Sequence, residues 1–372
     1  MGLTSKMRVA IVHDWLVGGG AERVVEQLHK MYPEAPIFTS YCTDEWRDKL
    51  DNKVVTGWLQ HLGKIRKFIP FLRIWSFSRL DLSGYDLVIS SSGNGEALGV
   101  KTSKVTLHVN YCHAPTHFYW RFYEHYLKNP GFGFFNFLAR LGLKVLVAPL
   151  RAWDHKAAQR ADVFIANSEH IKSEIKLFYG RDSVVIHPPV DTSRFTDTKS
   201  KNRNGFITAG RQVPQKRMDI IIGACNELKL PLTVIGQGPE HAKLVKMAGE
   251  TISFNTDVND QELAQYFAGA EAFLFASFED FGVTPVEALA AGTPVVAYKA
   301  GGALDYIKPG KNGEFFNIQT LPSMCAALKN FNPQKYSEAE IKQSAAGFSD
   351  EIFRRKFSSL VNELYKNKKE GV

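Results

Sequence analysis

Two carboxylates, Glu279 and Glu287, occur with seven residues between them in the stretch EDFGVTPVE. Because Pro285 is favoured in the first turn of a helix, the stretch predicts a loop carrying Glu279 and a helix carrying Glu287 on its first turn. The first N–H groups of such a helix lack partners inside it, and the helix dipole favours an anion there. Those groups belong to Phe281, Gly282, Val283 and Thr284.

Acids beside an anion site suit a ligand that carries both hydroxyls and phosphate. A carboxylate repels phosphate but accepts hydrogen bonds from hydroxyl groups. The arrangement therefore predicts a site for a sugar next to a phosphate. The alternative is that Glu279 and Glu287 are ordinary N-terminal helix residues, which the helix dipole also favours.

Two cations, Arg211 and Lys216, share one predicted strand-to-helix loop in GRQVPQKRMD. An arginine presents a planar fork of donors and a lysine presents a point charge, so together they can clamp a diphosphate. A basic pair in a loop is, however, more often solvated surface than a binding site.

In the first half of the chain, a histidine and a glycine run also follow predicted strands. His113 follows the strand-like run VTLHVNYC, where it is placed to touch a ligand. The glycines 18–20 separate a strand-like run from an amphipathic helix, so that the backbone there can approach an anion closely. Neither signal is specific, because an isolated histidine is usually structural and a glycine run can be a flexible turn.

Short apolar runs alternate with helical segments around these residues, which predicts an α/β chain with parallel sheets. Right-handed crossovers would bury the strands on both faces, and ligands bind outside the carboxyl ends of such strands. The candidate residues all follow predicted strands. The strand-like runs are RVAIV, YDLVISSS, VTLHVNYC, ADVFIANS, GFITAGR, LTVIGQGPE, ISFNTDV, FLFA, PVVAY and GEFFN.

Length and composition predict two globular domains with an anionic partner. The chain has 372 residues, 44% of them hydrophobic, and a net charge of +8. A net positive charge of this size favours binding to nucleic acid, an anionic membrane or phosphorylated substrates. Four scattered cysteines without a C-x-x-C pair favour reduced thiols in a cytosol, and neither a signal peptide nor a membrane span is expected.

Two segments interleave basic residues with large aromatic or apolar ones, namely Trp58 to Leu80 and Phe132 to Trp153. Such segments suit peripheral attachment to anionic lipid, and internal packing with charged ends is the alternative. No nucleic-acid motif accompanies them, so we expect no nucleic-acid partner. The cations expected to face lipid in the first segment are Lys64, Arg66, Lys67 and Arg73.

The motifs resemble those of a known enzyme family. EDFGVTPVEALAAGTPVVA is similar, nearly residue for residue, to the E-x7-E region of retaining glycosyltransferases of family 4, and bacterial mannosyltransferase-like enzymes of surface polysaccharide assembly are the closest in character. GRQVPQKRMD resembles the family's G-R-x4-K element, and GGAERV its first loop. The resemblance covers most of the chain, most clearly from Gly205 to Gly313.

This resemblance implies the GT-B fold, in which two Rossmann-like domains face a central cleft and the C-terminal helix crosses back to the N-terminal domain. Pro188-Pro189 can continue neither a strand nor a helix, so we place the hinge there. The predicted N-terminal, acceptor-binding domain comprises residues 1–188 with the helix 350–372. The predicted donor-binding domain comprises residues 189–349.

The resemblance also implies a role for each candidate residue. Glu279 would hold sugar hydroxyls, Glu287 the ribose hydroxyls, and His113 the transferred sugar. Arg211 and Lys216 would stabilise the leaving diphosphate together with the helix terminus at residues 281–284. Two further groups of residues complete the expected nucleotide-sugar site: Gly19 and Gly20 facing the diphosphate, and Val258 beside the base.

The expected reaction is transfer of a hexose, with retention at the anomeric carbon, from a nucleotide-sugar to a lipid-linked or polysaccharide acceptor. GDP-mannose is the first candidate donor and a polyprenyl-diphosphate-linked glycan the first candidate acceptor. No cofactor and no divalent metal are expected, since the chain contains no D-x-D pair. We expect a cytoplasmic enzyme, peripheral at the inner face of the plasma membrane.

Three other functions compete with this one. A UDP-sugar-dependent transferase with a soluble acceptor differs only in its substrates. A non-catalytic nucleotide-sugar-binding protein would not need all the candidate residues. A glycoside hydrolase that used Glu279 and Glu287 as acid and nucleophile would leave Arg211 and Lys216 unexplained.

Overall fold

The computed structural model of the protein describes residues 7–62, 70–128, 133, 136–196, 198 and 203–371. The chain divides into two compact units. The first unit comprises residues 1–188 and 354–372, and the second comprises residues 189–353. The first change of unit falls between Pro188 and Pro189, and the second falls inside the terminal helix Asp350–Glu370.

The first unit contains a sheet of seven parallel strands in the order β3-β2-β1-β4-β5-β6-β7. Strands β1, β4 and β5 are buried along their whole length, which explains why their sequences show no alternation of apolar and polar residues. The strands are β1 (Val9–His13), β2 (Ile37–Thr39), β3 (Val54–Thr56), β4 (Leu87–Ser92), β5 (Leu107–Cys112), β6 (Val163–Ala166) and β7 (Ser183–Val185).

The helices of the first unit include the last helix of the chain, whose residues from Arg354 onward belong to this unit. Arg354 hydrogen-bonds Gln27, and Lys368 lies 2.6 Å from Asp162. The helices are α1 (Gly20–Met31), α2 (Asp44–Lys49), α3 (Pro70–Arg79), α4 (Tyr123–Lys128), α5 (Asn136–Ala158), α6 (Glu169–Tyr179) and α15 (Asp350–Glu370).

The second unit contains a sheet of six parallel strands in the order β10-β9-β8-β11-β12-β13. The strands are β8 (Phe206–Ala209), β9 (Leu232–Ile235), β10 (Ile252–Asn255), β11 (Ala272–Phe275), β12 (Val295–Tyr298) and β13 (Gly313–Phe316). The helices are α7 (Ser193–Thr196), α8 (Met218–Leu228), α9 (His241–Met247), α10 (Asp260–Ala268), α11 (Val283–Ala290), α12 (Ala303–Tyr306), α13 (Leu321–Asn330) and α14 (Glu338–Ala345).

Each sheet reverses its winding direction at one place. In the first sheet the chain proceeds outward from β1 through β2 and β3, then resumes on the other side of β1 with β4. In the second sheet the same reversal separates β8 from β11. The loops at the carboxyl ends of the two strands diverge at such a point and leave a crevice, which is where open α/β sheets bind ligands.

The predicted α/β architecture of two Rossmann-like units is confirmed. The predicted strand runs correspond to β1, β4, β5, β6 and β8 to β13. The sequence analysis missed β2, β3 and β7, because each has only three residues and no period can be recognised over that length.

Candidate active site

The switch point of the second sheet brings Lys216 and Glu279 together. Lys216 lies in a short 3₁₀ turn after β8, Pro214–Lys216, and Glu279 lies in the loop after β11. The Lys216 ammonium contacts Oε1 of Glu279. The Ser277 hydroxyl donates a hydrogen bond of 2.8 Å to the same oxygen, so one carboxylate oxygen is held by two donors. The sequence analysis did not single out Ser277.

Both charged groups of this pair are partly open to solvent. The side chains of Lys216 and Glu279 are 24% and 27% exposed. The ammonium also lies 6.0 Å from the centre of the Phe275 ring. A ligand can therefore reach the pair from solvent, while the ring and the short loops restrict the positions that the ammonium can take.

Two glycines fix the loop that carries Glu279. A side chain on Gly301 would collide with the backbone of Glu279, and one on Gly302 would collide with the backbone of Phe281. The N–H of Gly302 donates a hydrogen bond of 2.9 Å to the Glu279 carbonyl. Gly301-Gly302 therefore lets two loops touch, and this close approach sets the position of the Glu279 carboxylate.

Glu287 is held by a cation that the sequence analysis missed. It is the fifth residue of α11 and not part of the first turn, which corrects the predicted placement. Its Oε1 lies 3.2 Å from Nη2 of Arg194 on α7. Arg194 also contacts the carboxylates of Asp260 and Asp191. The Glu287 side chain is almost fully buried, so the guanidinium beside it offsets the cost of a charge removed from water.

The predicted anion-binding helix terminus is that of α11. Gly282 precedes the helix with a φ of +87°, a conformation that favours glycine. The Phe281 ring is buried against Tyr306, with the ring centres 5.4 Å apart. Val283 is partly buried against the hydrophobic core. Val283 and Thr284 begin the helix, and the N–H groups at the beginning of a helix lack partners inside it.

The remaining predicted residues of the second unit differ in exposure. The Arg211 side chain is exposed on the loop after β8. Val258, expected beside the base, is partly buried and packs against the hydrophobic core. The roles predicted for Arg211 and Val258 stay predictions.

In the first unit, His113 interacts with a serine and, through it, with a second histidine. Nε2 of His113 lies 2.8 Å from Oγ of Ser91, and Nδ1 of His13 lies 2.9 Å from the Ser91 carbonyl and 3.1 Å from its Oγ. A carbonyl only accepts, so the His13 proton is on Nδ1. The Ser91 Oγ is thus shared by the two rings, since it lies within hydrogen-bond distance of both Nδ1 of His13 and Nε2 of His113.

The loop after β4 is anchored by a buried aspartate. Asp14 follows β1 directly and accepts hydrogen bonds of 2.8 Å from the N–H groups of Gly93 and Asn94 and of 2.9 Å from that of Ala97. The carboxylate thus fixes the loop beside the Ser91–His113 contact. The HDW triplet at residues 13–15 was visible in the sequence, but nothing in it indicated this partner.

The predicted glycine loop is engaged by a side chain of its own helix. Oε1 of Glu22 accepts hydrogen bonds from the N–H groups of Gly18 (3.0 Å) and Val17 (3.3 Å). A side chain on Gly19 would approach the same carboxylate to 3.0 Å. Part of the loop's capacity for an anion is therefore used by Glu22, and the predicted diphosphate contact of Gly19 and Gly20 stays a prediction.

The structure corrects the interpretation of the segment Trp58 to Leu80. Arg73, expected to face lipid, is buried, with Nη2 at 2.8 Å from Oε1 of Glu96 and the guanidinium 5.0 Å from the Trp15 ring. Burial raises the pKa of Glu96 to about 8, against the opposing effect of Arg73. Lys64, Arg66 and Lys67 lie outside the described residues.

The same segment also has an exposed side. Trp58, Phe71 and Trp75 each expose more than a third of their surface, and the Arg79 guanidinium lies 4.0 Å from the Trp75 ring centre. A pocket of about 330 Å³ is lined in part by Trp58, Trp75 and Arg79. Helix α3 therefore packs one face internally and exposes the other, and attachment of the exposed face to lipid stays a prediction.

Within the described ranges, no three His, Cys, Asp or Glu side chains converge as metal ligands. In the same part of the chain, no helix combines the length and the apolar character needed to cross a membrane. Cys42, Cys112, Cys225 and Cys325 are buried free thiols.

Two Rossmann-like units with charged residues at the switch point place the protein among glycosyltransferases of the GT-B fold. The family model described as "Glycosyltransferase Family 4" matches residues 18–194, and the model "Glycosyl transferases group 1" matches residues 189–330. Together the two models cover residues 18–330, so the chain is a glycosyltransferase that matches family 4 in its first part and group 1 in its second.

Curated relatives match part of the chain. A GDP-mannose-dependent alpha-(1-6)-phosphatidylinositol monomannoside mannosyltransferase of Mycolicibacterium smegmatis is 29% identical over 184 residues, which cover 41% of this chain and 48% of the relative. A GDP-mannose-dependent alpha-mannosyltransferase of Corynebacterium glutamicum is 29% identical over 191 residues, which cover 46% of this chain and 44% of the relative. The chain thus spans less than half the length of these relatives.

Solved structures match nearly the whole chain. Anabaena Alr3699/HepE in complex with UDP superposes with a TM-score of 0.69 at 18% identity, covering 96% of this chain and 100% of the other. Sucrose-phosphate synthase from Thermosynechococcus elongatus gives a TM-score of 0.69 at 14% identity, and the match covers 97% of this chain and 100% of the other. At these identities the similarity establishes the fold.

Proposed function

We propose that the protein is a retaining glycosyltransferase that moves a hexose from a nucleotide-sugar to a lipid-linked or polysaccharide acceptor. The observation that carries this proposal is the contact between Lys216 and Glu279. A phosphate bound to the ammonium and a sugar hydroxyl bound to the carboxylate would be direct neighbours. That is the arrangement of a sugar phosphate, and a nucleotide-sugar contains one at its reacting end.

The reaction breaks the bond between the sugar and the diphosphate, so negative charge grows on the leaving group. Lys216, Arg211 and the first N–H groups of α11 are the proposed stabilisers of that charge. An approaching diphosphate competes with Glu279 for the Lys216 ammonium. Once the ammonium turns toward the phosphate, the Glu279 carboxylate can accept from sugar hydroxyls, with Ser277 still holding one oxygen.

Glu287 is proposed to bind the ribose hydroxyls. Its carboxylate is oriented by Arg194, whose guanidinium also contacts Asp191 and Asp260. A carboxylate oxygen can accept more than one hydrogen bond, so the ion pair and a hydroxyl contact are compatible. For His113 we retain the role implied by the family, a contact to the transferred sugar.

GDP-mannose is the proposed donor. It is supported by the names of the two mannosyltransferase relatives, which are described as GDP-mannose-dependent. A UDP-sugar is the second candidate, supported by the fold neighbour Alr3699/HepE, which was crystallised with UDP and with UDP-glucose. The proposed chemistry needs no cofactor and no divalent metal, because protein cations and helix N–H groups face the diphosphate.

The proposed acceptor is a polyprenyl-diphosphate-linked glycan, extended at the inner face of the plasma membrane by a cytoplasmic enzyme that attaches peripherally. A lipid-bound acceptor is supported by the relative whose name specifies phosphatidylinositol monomannoside. It is also supported by the net charge of +8 and by the exposed aromatic residues of α3. A soluble acceptor is the alternative.

The proposal is tested with a panel of radiolabelled nucleotide-sugars, including GDP-mannose and UDP-glucose, assayed with and without polyprenyl-diphosphate-linked acceptors. We expect one donor to be consumed and its label to enter the lipid fraction, with the anomeric configuration retained. Label that enters only a soluble glycan would favour the second acceptor class. Binding without turnover of any donor would mean that the protein is a nucleotide-sugar-binding protein instead.

A further inference from the structure

Helix α5 differs between its two halves. Its C-terminal half packs into the first unit through Val147, Leu150, Asp154, Ala157 and Ala158. None of the residues 136–146 in its N-terminal half is buried. Pro149 lies inside the helix, close to where the packed half begins, and removes one helical hydrogen bond there. Three turns of the helix thus lie at the surface of the unit.

The N-terminal half carries most of its exposed large apolar side chains on one side, with Leu146 on the opposite side. Phe137, Leu138, Leu141 and Val145 are 72%, 59%, 51% and 63% exposed. At 3.6 residues per turn they fall within an arc of about 100°, the width typical of a helix face that is covered by something apolar. We call these four residues the α5 apolar face.

Cations border this face on one side. By the same helical geometry, Lys144 and Arg140 lie about 20° and about 60° beyond Phe137, outside the arc. Arg140 donates hydrogen bonds of 3.1 and 2.9 Å to the carbonyls of Leu127 and Lys128, which ties the N-terminal half of α5 to the end of α4. Lys144 is exposed.

The surrounding sequence carries no acid. Between Glu124 and Asp154 the chain contains two lysines and two arginines but neither aspartate nor glutamate. An apolar strip bordered by cations alone is complementary to the headgroups and upper acyl chains of anionic lipid. A second copy fits less well, because each copy would bring cations toward cations without a carboxylate from this segment.

We propose that the α5 apolar face, with Lys144 and Arg140 beside it, docks the protein on an anionic lipid bilayer. The helix would lie in the interface with its four apolar side chains among the acyl chains and its cations at the headgroups. This deepens the proposed function by naming the surface that meets the membrane, but vesicle binding does not require turnover. Failure of the docking surface and failure of the transferase assignment are therefore distinguishable.

Flotation of the full chain with vesicles tests the proposal. The vesicles are phosphatidylcholine alone and an equal mixture of phosphatidylcholine and phosphatidylglycerol. We expect binding to the anionic vesicles, weakened by high salt, because exposed charges are screened. The variant Phe137→Ser/Leu141→Ser should lower the partition coefficient at least about ten-fold, since two large apolar side chains no longer enter the bilayer. Lys144→Ser should lower it about five-fold.

The matched control is Val105→Ser/Leu177→Ser, which changes two exposed apolar residues elsewhere in the first unit. It should bind like the wild type, and circular dichroism should show all variants folded. The proposal is overturned if the wild type does not float with anionic vesicles, or if the α5 variant floats as well as the control. Dimerisation in sedimentation analysis that the α5 variant abolishes, without vesicle binding, would assign the face to a second copy and also overturn it.

Discussion

At the switch point of the second sheet, two opposite charges, Lys216 and Glu279, contact each other and remain partly open to solvent. Beside the switch point of the first sheet, the candidate His113 at the end of β5 interacts with the neutral hydroxyl of Ser91 in β4, a residue that is fully buried. The difference concerns what each site can give a ligand. In the second unit a ligand can replace each charged group as the partner of the other. In the first unit a ligand meets a side chain whose orientation is already fixed.

This comparison predicts that charge substitutions in the second unit affect transfer more than hydrogen-bond substitutions in the first. Hydrogen bonds to charged groups contribute about 1.5–3 kcal/mol, whereas neutral ones contribute about 0.5–1.5 kcal/mol. The following substitutions test that order.

Replacing Lys216 by Ala should have the largest effect. We expect kcat/KM to fall about ten- to a hundred-fold or more, because the leaving diphosphate loses a charge-assisted contact. Arg211→Ala should lower kcat/KM by a factor in the same range. The matched control is Arg217→Ala, a neighbouring cation that pairs with Asp219 at 3.1 Å and should change kcat/KM by no more than about two-fold. The measurement is steady-state kinetics. If kcat/KM of both Lys216→Ala and Arg211→Ala equals that of the wild type, the assignment of these residues to phosphate binding is wrong.

Replacing Arg194 by Ala should raise the KM for the donor about ten-fold, because the buried Glu287 carboxylate loses the cation that orients it. The effect should appear mainly in KM, since the ribose is remote from the bond that breaks. Arg203→Ala is the control, because Arg203 pairs with Glu338 at 3.3 Å in the same unit. An equal rise in KM for that variant would show that loss of any ion pair in the unit has this effect.

Replacing Ser91 by Ala should lower kcat/KM about two- to ten-fold, since one neutral hydrogen bond to His113 is lost. The effect on the imidazole can be followed separately by ¹⁵N NMR of histidine-labelled protein. We expect the ring-nitrogen signals of His113 to shift, because Nε2 loses the Ser91 hydroxyl as its partner. Ser92→Ala removes a neighbouring hydroxyl that bonds Asn110 and should leave the His113 signals in place. Unchanged His113 ring-nitrogen signals in Ser91→Ala would refute the positioning role.

Excess EDTA should have no effect on transfer. The charge of the diphosphate is expected to be met by Arg211, Lys216 and the α11 terminus. Activity measured after dialysis against the chelator tests this. Complete loss, restored by magnesium or manganese, would show that the second unit needs a metal in addition to its own cations.

The sequence predicted the elements of the second unit well because its motifs are short and local. Glu279 and Lys216 follow two strands that are neighbours in a parallel sheet, so the topology alone brings them together. Gly301-Gly302 was also visible, but that these glycines set the position of Glu279 depends on contact between two loops, which no local pattern encodes.

The first unit was harder to predict because its interactions span long stretches of chain. The partners of His113 and Asp14 lie more than twenty and more than seventy residues away, respectively. Arg73 illustrates the same limit, since a basic residue among aromatics suits either lipid or a buried acid, and only the fold places Glu96 beside it. The same limit applies once in the second unit, where Arg194 gave no signal because its partner Glu287 lies 93 residues away on another helix.

The central claim is that Lys216 and Glu279 mark adjacent phosphate and sugar subsites, and paired calorimetric titrations test it most directly. GDP and GDP-mannose, with UDP and UDP-glucose in parallel, are titrated into wild type, Lys216→Met and Glu279→Gln. Lys216→Met should weaken the nucleoside diphosphate and the nucleotide-sugar alike. Glu279→Gln should weaken only the nucleotide-sugar and leave the nucleoside diphosphate bound at least as tightly. If Glu279→Gln weakens both ligands equally, or neither, the two subsites are not where this pair places them.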